Sequence, residues 1–240
     1  MGKSARPSAR RWVRFNAVDG KLALAYMPAM PTLLNEFCEE LPLRRLDEEE
    51  KPQPPAQPEA QSSPVQQALY KSRTVLIFGE VDMKLAERIT AQLLAHAADG
   101  DGDIRVIINS PGGHVESGDT IHDVIRFVGP RIKMIGTGWV ASAGAHIYLG
   151  ASKENRFALP NTRFLLHQPL GGVAGPASDI SIEVEEILKM QKRINQTIAR
   201  ETGQTLEKVE LDTDRNFWMS AEEAKAYGLV AKIVNLATEV

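Results

Sequence analysis

The sequence predicts an α/β fold of repeated strand-helix-strand units, carried by one domain that follows an N-terminal extension. Three observations lead there. Val75-Leu76-Ile77-Phe78 and Ile104-Arg105-Val106-Ile107-Ile108 are short, nearly continuous apolar runs with the length and β-branched content of buried strands. Between them, residues 82–96 put Leu85, Ile89 and Leu93 on one face at helical spacing. The order strand, helix, strand is that of a parallel crossover, and 240 residues with 43% hydrophobic content suffice for one substantial core.

From the N-terminus, residues 1–18 carry Lys3, Arg6, Arg10, Arg11 and Arg14 with no acid before Asp19, a composition shared by disordered basic arms and organellar transit peptides. Residues 19–46 hold scattered apolar side chains, among them Leu22, Tyr26, Leu33 and Phe37, compatible with a short hairpin or a helix. The stretch from Asp47 to Pro64 is too polar and proline-rich to pack and reads as a linker. Residues 1–64 are thus expected to be an extension and residues 65–240 the folded domain. After Gly113 a helix is expected through Phe127, with Ile121, Val124 and Ile125 inward, stopping at Gly129-Pro130. Ile132 to Ile135 reads as a strand, the small residues around Ser142 as the start of a helix, and Arg163 to Leu166 as another strand ending at His167. A flexible bridge from Gly171 through Pro176 leads into a long helix, Ser178 to Thr202, closed by Gly203. Its stripe of Ile180, Val184, Ile187, Leu188, Ile194 and Ile198 suits either an intrachain or an intermolecular contact. Tyr227-Gly228-Leu229-Val230 and Ile233-Val234 supply the last turn and strand.

Composition excludes several function classes. A net charge of −3 and a pI near 6.0, with no basic face beyond the tail, argue against nucleic-acid binding. Cys38 is the single cysteine, so an internal disulfide is impossible, and no Cys/His cluster has metal-ligand spacing. No run approaches the roughly 20 apolar residues of a membrane helix, and no apolar segment follows the basic N-terminus as in a signal peptide. No Gly-x-x-x-x-Gly-Lys-Ser/Thr segment is present, so the chain is not expected to hydrolyse ATP or to need a cofactor of its own. The expectation is a soluble protein of the cytoplasm, or of an organelle matrix or stroma.

Three segments carry chemistry. Ser142 lies in Gly138-Trp139-Val140-Ala141-Ser142-Ala143-Gly144-Ala145, and His167 lies downstream in Leu165-Leu166-His167-Gln168-Pro169-Leu170-Gly171-Gly172. A serine hydroxyl becomes a useful nucleophile when an imidazole takes its proton. Alone, each residue reads as ordinary packing. The third segment, Asn109-Ser110-Pro111-Gly112-Gly113, ends an apolar strand with two glycines that permit a sharp turn and leave N–H groups free to face an anion. His96, His114, His122 and His146 have no partner at recognisable spacing and read as surface or packing residues; Trp139 and Val140 read as core or pocket wall.

Together with Leu159-Pro160-Asn161-Thr162-Arg163 and Asp212-Thr213-Asp214-Arg215, these segments resemble the Clp-type proteolytic subunit, a self-compartmentalising serine peptidase of bacteria and organelles; the resemblance runs from about Pro64 to Val234. It implies a crotonase-like fold, Ser142 as nucleophile, His167 as general base, and an oxyanion hole made by the N–H groups of Gly113 and Ala143. The chain departs from the family's pattern at the third triad position, where Asn216 stands in place of an aspartate. An Asn oxygen can orient the imidazole but brings no charge to the imidazolium. Asp212 and Asp214 are near enough in sequence to substitute, although the family pattern assigns Asp214 and Arg215 to contacts between subunits. The resemblance further implies a homo-oligomer of two stacked heptamers joined through the long helix, unfolded polypeptide substrates, and an AAA+ unfoldase such as a Clp ATPase that spends the ATP. A weakened or regulatory subunit mixed with an active paralogue, a non-proteolytic scaffold and an acyl-CoA hydratase-like protein are the alternatives that Asn216 and the fold leave open.

Overall fold

The structure is a computed structural model that describes residues 63–129 and 131–240. The basic arm, the apolar segment 19–46 and nearly all of the linker lie outside the described residues. Ser63 and Pro64, expected as linker, instead open a helix: Ser63 caps α1 (Pro64–Lys71) through a capping box with Gln66, and Pro64 occupies its first turn.

The expected crossover follows. β1 (Thr74–Phe78), α2 (Met83–Ala98) and β2 (Ile104–Ser110) form a parallel unit, with Asp82 capping α2 by accepting from the Leu85 N–H. α3 (Val115–Val128) ends at Gly129, and β3 (Ile132–Ala141) pairs parallel with β2. α4 (Ala143–Tyr148), β4 (Arg156–Ala158) and β5 (Arg163–Leu166) come next, then α5 (Ala177–Thr202), α6 (Leu206–Thr213), β6 (Phe217–Ser220), α7 (Ala221–Tyr227) and β7 (Lys232–Ile233). The short elements β4, α6, β6 and α7 escaped the periodicity argument because each is under three helical turns or four residues or fewer, too short to display a period.

β3 is more than twice the length that its apolar run indicates, and its two halves have different neighbours. Met134 to Gly136 pair with β4, which continues to β7, whereas Trp139 to Ala141 pair with β5, which continues antiparallel to β6. The break comes from a register shift against β2: Ile108 faces Gly136, but Ser110 faces Val140. The Asn109 side chain fills the gap, its oxygen accepting from the Trp139 N–H at 3.3 Å. Gly138 turns there at φ 59°, and a β-carbon on it would lie 2.9 Å from the same Asn109 oxygen.

The core fills the space between this sheet and α2, α3 and α4. Alternate β2 residues Ile104, Val106 and Ile108 are fully buried, as are Ile89 and Leu93 from α2 and Ile121 from α3. The Tyr148 hydroxyl, at the end of α4, donates to the Phe157 carbonyl at 2.9 Å, and its ring meets Phe164 edge-on at 5.2 Å. Only the C-terminal half of α5 is buried, at Asn195, Thr197, Ile198 and Thr202; Val184 and Leu188 of its apolar stripe remain 44% and 57% exposed.

Because Ile89 has no exposure and belongs to the buried cluster that α2 shares with the sheet, shortening it should cost stability in proportion to the volume removed. Ile89→Val is expected to cost about 0.5–1.5 kcal/mol and Ile89→Ala about 2–5 kcal/mol, read as a shift of the denaturant midpoint at unchanged slope. Equal losses from the two variants would contradict this packing.

Candidate active site

The ends of three parallel strands meet at one place: β2 runs into Ser110 to Gly113, the second half of β3 into Ser142, and β5 into His167. Residues at the carboxyl ends of parallel strands can converge there while their strands stay rigid.

Ser142 sits on a sharp turn between β3 and α4. Its φ of 54° and ψ of −122° put it in a region that non-glycine residues avoid, and among the described residues only Arg73 shares a positive φ without being glycine. The turn is held from both sides: the Ser142 N–H donates to the Leu165 carbonyl at 2.9 Å, and its own carbonyl accepts from the N–H groups of Ala145 at 2.9 Å and His146 at 3.1 Å. The hydroxyl makes no capping bond and stays available. Small neighbours are required by close approach. A β-carbon on Gly112 would lie 2.6 Å from that of Ser142, one on Gly144 3.1 Å from that of Ser110, and one on Gly118 3.2 Å from that of Ala143.

This approach also presents two unpaired backbone donors. The bridge between Val81 and Gly113 uses the Gly112 carbonyl and the His114 N–H, which leaves the Gly113 N–H without a backbone acceptor. Gly112 donates its own N–H to Ser110 Oγ at 3.1 Å. Ala143 is the first residue of α4, so its N–H has no partner inside the helix. Gly113 adopts φ 147°, and a β-carbon there would meet the Val81 carbonyl at 2.4 Å, so only glycine fits.

Ser142 and His167 line one small cavity of about 30 Å³, walled by Val115, Leu166, Pro169 and, from α5, Ile194 and Ile198. A much larger cavity of about 720 Å³ lies among α1, β1 and α2, but no serine, cysteine or carboxylate lines it, so the chemistry belongs to the smaller one. Burial lowers the His167 imidazole below its ordinary value and favours the neutral form that a base requires.

Asn216 comes close through pairing. Leu166 pairs with Phe217 in the antiparallel ladder of β5 and β6, so His167 and Asn216 are the next residues beyond the last pair. The segment before Asn216 is tied to the residue after His167: the Gln168 N–H donates to the Thr213 carbonyl and its side-chain amide to the Asp214 carbonyl, each at 2.7 Å. Asn216 is exposed, and among the described residues the His167 ring makes no hydrogen bond to it or to Ser142. Asp212 is engaged elsewhere, accepting from the Tyr227 hydroxyl at 2.9 Å and from Lys208 at 2.8 Å, which removes it as a substitute for Asn216. Asp214 is exposed, its carboxylate 3.7 Å from Arg215.

The expectation that the other histidines lack partners needs correcting. His114 caps α3 by accepting from the Ser117 N–H at 3.3 Å, and His146 Nε2 lies 2.8 Å from Asp119 while its ring stacks on His122 at 4.4 Å. The His114 cap is local to α3, but the His146 pairs join different helices, so no sequence spacing announces them. No group of three metal-ligating side chains occurs among the described residues.

Comparison with known proteins places this arrangement. A profile of the Clp protease family matches residues 57–237. ATP-dependent Clp protease proteolytic subunit 3 of Rhizobium etli is 58% identical over 172 residues, covering 72% of this chain and 89% of the relative. Proteolytic subunit 2 of Gluconobacter oxydans is 56% identical over 207 residues, 83% and 93% of the two chains. Among solved structures, ClpP1 from Listeria monocytogenes is 51% identical with a TM-score of 0.66 over 73% of this chain and 98% of its own. An Asn-to-Asp mutant of that ClpP1 is 52% identical with a TM-score of 0.68 over 72% and 98%. With the fold, the strained serine and the profile match in agreement, the chain belongs to the Clp protease family of serine-type peptidases.

Proposed function

We propose that this chain is the proteolytic subunit of an ATP-dependent Clp-type protease and cleaves unfolded polypeptides through an acyl-enzyme on Ser142. The observation that carries the reading is the strained Ser142, which shares a cavity with the half-buried His167 imidazole and lies against a loop whose Gly113 N–H has no backbone acceptor among the described residues. His167 accepts the hydroxyl proton as Oγ attacks the substrate carbonyl, and the Gly113 and Ala143 N–H groups stabilise the charge that develops on the carbonyl oxygen. The imidazolium then returns its proton to the leaving amine, and water repeats the cycle on the ester.

Asn216 takes the third triad position beside His167; an amide there can orient the ring in the assembled enzyme but brings no charge to support the imidazolium, so turnover falls short of what a carboxylate there would allow. Assembly into two stacked heptamers uses the exposed apolar half of α5, and a Clp ATPase partner supplies unfolded chains in the cytoplasm, where the protease serves protein quality control. Among the described residues no helix is long and apolar enough to cross a membrane.

Ser142→Ala is expected to abolish hydrolysis of a short fluorogenic peptide with assembly intact, because the change removes one oxygen; a variant as fast as the parent would refute the nucleophile. The pH profile follows from burial of His167. Only the neutral ring accepts a proton, and burial, by lowering its pKa, extends the neutral form to lower pH than in a free imidazole, so the acid limb of kcat/KM should have its midpoint under 6.5. A midpoint above 6.5 would contradict a desolvated base. Asn216→Asp should raise turnover about 10-fold or more, within the roughly 10⁴-fold effect of the reverse change in a serine triad. The new carboxylate favours the imidazolium, so the same limb should move to higher pH. Unchanged or lower turnover at matched oligomeric state would show that Asn216 does not limit the enzyme.

A further inference from the structure

Beneath the candidate nucleophile, a chain of polar side chains joins three helices. On α3, Asp119 is partly buried; one carboxylate oxygen accepts from His146 Nε2 at 2.8 Å and the other from Arg193 on α5. His146 lies one turn after Ser142 on α4, and its N–H donates to the Ser142 carbonyl at 3.1 Å. We propose that Asp119 is a positioning residue for the peptidase reaction, coupling the docking of α5, through Arg193 and His146, to the strained turn at Ser142. This rests on the peptidase reading above.

Four observations support the coupling. First, α4 has only six residues and no side-chain cap, so its orientation depends on contacts from outside. Second, the His146 ring is buried and, among the described residues, its Nδ1 has no partner and Asp119 is the one hydrogen-bonding anchor of that ring. A carboxylate acceptor requires the proton on Nε2, so the same contact selects the tautomer. Third, the ring stacks on His122 with an interplanar angle of 18°, and His122 in turn bonds Asp123 through Nδ1 at 3.0 Å, so α3 braces α4 twice. Fourth, Arg193 directly precedes Ile194, which together with Ile198 walls the cavity holding Ser142 and His167. Closing that wall and forming the ion pair to Asp119 are therefore one movement of α5. Burial disfavours the charged carboxylate, but the His146 hydrogen bond and the Arg193 charge outweigh it and hold Asp119 below its ordinary value.

A purely structural ion pair would alter stability and leave each folded site equally active; a positioning residue alters the chemical step. The test uses the assembled full chain, a short fluorogenic peptide and a fluorophosphonate probe of Ser142. Asp119→Asn should lower kcat about 10-fold or more while KM stays within about 3-fold, with labelling of Ser142 slowed in parallel. Arg193→Gln should fall in the same direction and Arg193→Lys should stay within about 3-fold of the parent; the double variant Asp119→Asn/Arg193→Gln should be no worse than Asp119→Asn alone, because both act on one link. Arg193 is largely exposed, so its variants serve even if Asp119→Asn folds poorly. The proposal is overturned if the parent labels at Ser142 and these variants label and turn over at the parent rate per assembled subunit, or lose activity only in proportion to lost assembly. A parent that does not label at Ser142 overturns the peptidase reading itself, and this coupling with it.

Discussion

Where β2 advances from Ile108 to Ser110, β3 advances from Gly136 to Val140, and the catalytic end of the domain depends on this mismatch. A register shift of this kind leaves backbone groups unpaired and bends the longer strand. Asn109 resolves the first problem by accepting from the Trp139 N–H, and Gly138 permits the second by turning at φ 59°. The bend sends one half of β3 to β4 and the other to β5. Without it, β3 would end beside a single neighbour, and the strand leading to His167 would not lie next to the strand leading to Ser142.

The strain at Ser142 follows from that placement. A residue at φ 54° costs on the order of 1–3 kcal/mol and persists only where its surroundings leave no alternative. Here Leu165, Ala145 and His146 hold its backbone, while Gly112 and Gly144 let the end of β2 press against it. The same pressing brings the loop of Gly113 alongside the first N–H of α4. Donors placed before the reaction need no reorganisation when charge appears, which is the main advantage of a preset anion site.

The site's electrostatics are spare. His167 faces largely apolar walls, Asp212 is taken up by Tyr227 and Lys208, and Asn216 brings an amide and no charge. A partly buried carboxylate lies below Ser142 instead, where Asp119 meets His146, whose N–H bonds the Ser142 carbonyl. An acyl-CoA hydratase-like protein would share the loop of free N–H groups, but it would have no use for a serine forced into a strained turn beside a half-buried imidazole.

Much of this was legible in the residues. The long apolar periods of α2, α3 and α5 and the runs in β1 and β2 announced themselves because burial on one face repeats at the pitch of the element. The segments of Ser142, His167 and Gly113 stood out through the glycines and small residues near them, but their roles as candidate nucleophile, base and oxyanion loop came from the family resemblance, since each residue alone reads as ordinary packing. Short elements such as β4 and β6 left no such mark, and the length of β3 was hidden because its second half, around Gly138 and Trp139, carries the bend rather than an apolar run. Which carboxylate stands near which histidine was beyond local pattern altogether. Asp212 and Asn216 are four residues apart in sequence, yet only the packing of α6 against Tyr227 turns one away while the β5–β6 ladder sets the other beside His167. Asp119, His146 and Arg193 lie on three helices whose meeting is a property of the folded core, since contacts between distant segments arise from burial in three dimensions and leave no spacing in the chain.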